Sequence, residues 1–207
     1  MNILSELNAR GHLTIHKIQG GQEELIHDDA NIIVSGMGWS LSHFFARLGS
    51  QSIPDYQIDR FQIGVSGTLA NQVSGTYELS GHLSSVAEYT GNGDSNILSF
   101  SGHQWKNSVI NTVDINSNEI FYGSIPFGKV TRIDDTSVRY SIFIDEDSCN
   151  SISREGVDAN LNEIGLFIKN PWASIPESSI LVAYKYFSNI RKTSDFGLLF
   201  RWTISFG

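Results

Sequence analysis

The chain has 207 residues, with 14 Lys and Arg against 22 Asp and Glu, a net charge of -8 with His neutral, 40% hydrophobic residues and only 17% charged ones. That length suits one all-β domain over 1–207, and the composition is globular rather than disordered. An acidic chain with scattered basic residues speaks against nucleic acid as a partner, and its one cysteine, Cys149, excludes an internal disulfide and a Cys-type structural zinc site.

In chain order, the first residues lack a basic start followed by an apolar core, and no later stretch reaches membrane-spanning length. Synthesis in a reducing cytoplasm with no membrane partner is expected. GHLTIHKIQGGQEELIH reads as a hairpin about Gly20-Gly21, with Leu13 and Ile15 pointing inward. Met37, Leu41, Phe44, Phe45 and Leu48 then fall at helical spacing, with Ser35 as a candidate cap and Gly49 after the end. This predicts one amphipathic helix near the N-terminus, at about 37–48.

Everything later returns to short strands: 61–65, 77–83, 109–115, 129–133, 139–144, 163–168, 180–187 and a closing strand from Phe196, where Leu198, Phe200, Trp202, Ile204 and Phe206 alternate with Gly and polar residues. Regular strand and turn spacing around one helix predicts a mainly β fold, an antiparallel β-sandwich of jelly-roll type. Along 180–187, Leu181, Ala183 and Phe187 form most of one strand face opposite Ile180, Val182, Tyr184 and Tyr186. A sandwich covers one face of each sheet, so the second apolar face needs the helix, a loop or a neighbouring subunit. That makes Leu181, Ala183 and Phe187 a candidate interface. The irregular stretch 90–107 predicts a long surface loop; His103 and Trp105 within it, with Tyr89 just before, are candidates for binding a glycan or a partner.

Chemistry-bearing clusters are sparse. His12 and His16 share a strand face but stand about 13 Å apart at roughly 3.3 Å per residue, too far to share a metal. Asp145, Asp147 and Asn150 sit in an acidic turn without the glycine and distal glutamate of a calcium loop. Ser66 between Gly64-Val65 and Gly67 lacks the glycine spacing of a nucleophile elbow, and Cys149 with His82 and His103 shows no pairing signal. The expectation is no enzyme, no catalytic residues, no cofactor and no metal.

Several segments carry a family likeness: Asn31-Ile32-Ile33-Val34-Ser35-Gly36, Phe61-Gln62-Ile63-Gly64-Val65, Asn162-Glu163-Ile164-Gly165-Leu166-Phe167, Leu181-Val182-Ala183-Tyr184, and Lys192-Thr193 before Phe200-Arg201-Trp202-Thr203-Ile204-Ser205-Phe206. In this order they resemble virion structural proteins of tailed bacteriophages, especially marine and cyanobacterial ones. Gly64-Val65-Ser66-Gly67 departs from the pattern, since many relatives place a second glycine sooner. The resemblance implies a non-enzymatic tail, baseplate or collar adaptor resident in the virion, docked on other virion proteins as a homotrimer. A capsid decoration (cement) protein is the alternative position. A chain that closes on its last strand, with no shaft beyond, speaks against a fibre proper. From another class, a carbohydrate-binding module reading host glycans through Tyr89, His103 and Trp105 is the competing expectation.

Overall fold

The computed structural model describes residues 9–33, 35–46, 56–64, 121–150, 153–154, 157–158, 160–168 and 180–207. The stretches expected as strands at 77–83 and 109–115, the loop at 90–107 with Tyr89, and the turn residues Val65 to Gly67 lie outside these residues.

The chain opens with a long hairpin, β1 (Ala9–Gln19) and β2 (Gln22–Ile33), followed by α1 (Ser35–Ala46). Gly20 and Gly21 join the two strands with φ of 57° and 78°. Two left-handed residues in a two-residue loop match the right-handed twist of the strands they connect, and glycine adopts that conformation without a Cβ clash. The helix begins two residues ahead of the predicted start and comes third in the chain, after the hairpin.

The remaining strands are β3 (Ile58–Gly64), β4 (Phe121–Ser124), β5 (Val130–Arg132), β6 (Ser137–Ile144), β7 (Ser153–Arg154), β8 (Val157–Asp158), β9 (Leu161–Ile168), β10 (Ile180–Ile190) and β11 (Gly197–Phe206). Nine of the strands run in the order β4-β3-β9-β10-β2-β1-β11-β6-β5, every pairing antiparallel, while β7 and β8 pair on their own. The protein is therefore mainly β, with a single short α-helix among the described residues.

β2 belongs to both halves of this arrangement. From Gln22 to Asn31 it pairs with β1, and only at Ile32 and Ile33 does it pair with Tyr184 and Ala183 of β10. On one half, Leu13, Trp202 and Tyr140 lie side by side across β1, β11 and β6, as do Ile15, Phe200 and Ile142. On the other, Phe61 sits beside Leu166 and Ile63 beside Ile164. All of these side chains are buried, and those of both halves fall in one cluster. Alternation alone selects them, because a period of two sends every second side chain to the same face.

The faces predicted for 180–187 are corrected by a bulge. The register shifts between Leu181 and Ala183, so that Leu181 pairs with Phe167 and Ala183 with Leu166. Neighbours on β9 point to opposite faces, so Leu181 and Ala183 do as well. Ala183 and Phe187 join the central cluster, with the Phe187 ring 6.0 Å from that of Phe200. Leu181 lies on the other face, and Leu181, Ala183 and Phe187 are 0%, 0% and 1% exposed. The chain itself covers all three, which removes them as a contact surface and with them the physical motive for a trimer.

Candidate functional site

Where α1 meets the β5 end of the sheet, an apolar groove of about 330 Å³ opens to the surface. Met37 and Leu41 of α1 form one wall, Tyr56 just before β3 and Ile58 at its start the floor, and Val130 of β5 with Phe206 of β11 the other wall. The helix is fixed at this place by Met37 in the core and by the Ser40 hydroxyl, which donates to the Tyr56 carbonyl at 3.2 Å in a buried setting. His43 stacks on Tyr56 with ring centroids 6.5 Å apart. Tyr140 of β6 also lines the groove, and burial pushes its phenol up to about 12.

The lip of the groove is the unusual part. Phe44 and Phe127 line it at 42% and 92% exposure, and Phe45, in edge-to-face contact with Phe44 at 5.5 Å, is 75% exposed. Phe127 is held outward by a single 3-10 turn, Phe127–Lys129, that begins after Pro126. Helical spacing places Phe44 and Phe45 in the apolar pattern of the one amphipathic helix. They sit in the last turn of α1. Nothing in the sequence singled out Phe127.

Three polar clusters lie elsewhere. On the outer face of the hairpin, His16 Nδ1 meets Glu23 Oε1 at 2.8 Å while its Nε2 lies 3.1 Å from the Thr14 hydroxyl. A carboxylate, an imidazole and a hydroxyl in line have the connectivity of a nucleophilic triad. However, Arg201 Nη1 is 3.2 Å from the same Nε2 and the guanidinium also grips both oxygens of Glu23. The lone pair that would accept the hydroxyl proton already faces a cation, so the cluster acts as a surface ion network. Arg201 holds the Glu23 carboxyl below the usual carboxylate range. His12 pairs separately with Asp28 at 2.7 Å. The two histidines share a face but no ligand, as their strand spacing requires.

The acidic turn 145–150 is organised by a lysine. Lys192, 2% exposed, donates to the carbonyls of Glu146 and Thr193 at 3.2 and 2.8 Å and to Asn150 Oδ1 at 2.9 Å. Its ammonium stands where a loop of oxygen ligands would otherwise favour an ion. Burial pulls its pKa down while the neighbouring acids push it back up. Cys149, in the same turn with φ of 60°, is buried, and burial raises its thiol well above the ordinary value. Among the described residues no group of three or more His, Cys, Asp and Glu is placed to hold a metal.

The third cluster is buried on β9 and its neighbours. Glu163 is fully buried and accepts from the Tyr184 hydroxyl at 3.0 Å, and Gly64 opposite it leaves the room its carboxylate occupies. A Cβ at Gly64 would strike the Glu163 side chain. The glycan candidates Tyr89, His103 and Trp105 lie outside the described residues. No family model matches the chain, and neither a curated protein nor a solved structure matches it. Among the described residues no helix is long and apolar enough to cross a membrane.

Proposed function

We propose that this chain is a non-enzymatic structural protein of a tailed-bacteriophage virion, a tail, baseplate or collar adaptor that docks on other virion proteins. The observation that carries the docking is the phenylalanine-lipped groove, since three large apolar side chains in water beside an apolar cleft mark a surface built to be covered by protein. The virion assignment comes from the family likeness. The segments that bear it fall on adjacent strands β3, β9, β10 and β2, on the start of α1 and on β11, which suits motifs that specify a scaffold rather than reaction chemistry.

Within this reading the two halves close on each other as a jelly-roll-like sandwich. Support comes from the single cluster their side chains share and from β2, which passes from one half to the other. The resemblance adds a threefold homo-oligomer, which light scattering on the purified chain tests.

The experiment for the main reading has two parts. Mass spectrometry of purified particles should find the chain, and its absence from them sinks the virion assignment. The double variant Phe45→Ser, Phe127→Ser should keep the parent melting temperature yet fail to enter particles. Normal incorporation of that variant would remove the groove as the docking surface.

A further inference from the structure

β2 and β10 pair only where Ile32 and Ile33 meet Tyr184 and Ala183. Farther along, the two strands part, and a cavity of about 290 Å³ lies among Ile26 and His27 of β2, Ser188 and Asn189 of β10 and Lys17 of β1. Phe196, one residue before β11, also lines it. The chain carries a net charge of -8, yet no carboxylate lines this cavity. Its one charged side chain is Lys17.

The Lys17 ammonium stands 5.0 Å from the centre of the Phe196 ring, a contact that attracts the cation without cancelling its charge. No described carboxylate forms an ion pair with it: Glu24 lies across from it on β2 without bridging to it, Glu23 is held by Arg201, and Asp29 by Lys185. A second ammonium, that of Lys192, lies 5.3 Å from the same ring, but it is 2% exposed and directs its donors to Glu146, Asn150 and Thr193. One positive charge therefore faces the cavity. Ser188 and Asn189, both exposed, add a hydroxyl and an amide that donate hydrogen bonds without adding charge, and the His27 Nε2 finds no hydrogen-bond partner in the chain. Ile26, 39% exposed, and the Phe196 ring supply hydrocarbon beside these groups. A single cation with neutral donors matches one negative charge, whereas a phosphate with nearly two would stay half neutralised. The apolar lining calls for hydrocarbon next to that charge.

We propose that this cavity binds a single carboxylate carried on an apolar group, borne by a small free acid or by the C-terminus of an apolar peptide. The site is separate from the groove beside α1 and stands whether or not the chain belongs to a virion.

The probes are phenylacetate and a short peptide ending in phenylalanine with a free carboxyl, each titrated onto the full chain by NMR. Binding should move the His27 ring signals saturably, leave those of His12 in place, and weaken as salt rises. Phenylacetamide, of the same size but neutral, and phenethylamine, of opposite charge, should not bind. Lys17→Met keeps the alkyl stem beside Phe196 and should weaken binding by about tenfold. Asn189→Asp, an exposed change that sets a negative charge at the cavity, should weaken it while leaving Lys17 in place. Tighter binding of phenylacetate assigns the site to free acids and tighter binding of the peptide to a chain terminus; either supports the proposal. It is overturned if neither acid binds saturably in the millimolar range, if phenylacetamide or phenethylamine binds equally well, if both variants bind like the parent, or if the His27 signals do not move.

Discussion

The Trp202 indole N–H, deep in the core, finds its acceptor in Asn31 Oδ1 at 2.7 Å. Asn31 reaches it by lying across Gly11, where any Cβ would collide with its amide. Gly11→Ala should therefore displace Asn31, leave the indole donor unpaired and cost about 1–3 kcal/mol in urea denaturation. Trp202→Ala should cost about 3–5 kcal/mol by the same measurement, because the side chain is fully buried beside Leu13 and Tyr140. Lys192→Met should remove the ammonium from three acceptors and lower stability by about 2–4 kcal/mol, whereas adding calcium or a chelator to the parent should leave its melting temperature unchanged. A rise of several degrees with calcium would show that the lysine does not fill the turn. Alternation was enough to place Leu13, Ile15, Phe200 and Trp202 inside. The partners Asn31 and Lys192 were not legible as partners, since each meets its group only after the chain has folded back across a long separation.

At the level of elements, the hairpin turn, the helix and the strands with clean alternation could be read from the sequence because local chemistry decides them. Gly20 and Gly21 have open space where a Cβ would stand, so the demand for glycine there is conformational alone. Gly20→Ala should then cost about 1–2 kcal/mol, while Gly20→Asn, which tolerates the left-handed region, should cost much less. Equal losses for the two would mean that the turn has a different geometry in solution. β10 was harder to read. Its bulge exchanges the two faces after Leu181, and a single inserted residue leaves no mark in an apolar run such as ILVAYKYF. In α1, periodicity reports which side chains share a face, not that Phe44 and Phe45 stand exposed.

Across the whole molecule, ion pairs and a half-buried histidine couple stability to pH. Lys185, buried in β10, donates to Asp29 of β2 at 2.6 Å and holds that carboxyl below its ordinary value. His27 lies between Phe187 and this pair, and burial followed by the Lys185 charge lowers its pKa below 6.5. A histidine depressed in the folded state is protonated first in the unfolded chain, so stability declines as pH falls below about 6.5. The Asp29 contribution is present above its unfolded value near 3.8 and is lost only as pH drops through the still lower folded one. Urea midpoints should thus fall between about pH 7.5 and 5.5, and His27→Gln should flatten that step. An unchanged step in the variant would assign it to other groups.

The glycine slots also constrain how this sequence can drift. At Gly11 beside Asn31, and at Gly64 beside Glu163, the missing side chain on one strand is the space used by a long polar one on the next. A substitution at the glycine is harmful while its neighbour keeps its length, but after the neighbour has been shortened the same substitution meets no obstacle. The order of changes therefore matters. In an Asn31→Ala background, Gly11→Ala should add almost no further loss, although the indole hydrogen bond stays broken, and the difference between the two backgrounds measures the coupling. Relatives of this chain should accordingly vary at 11 and 31, and at 64 and 163, as pairs.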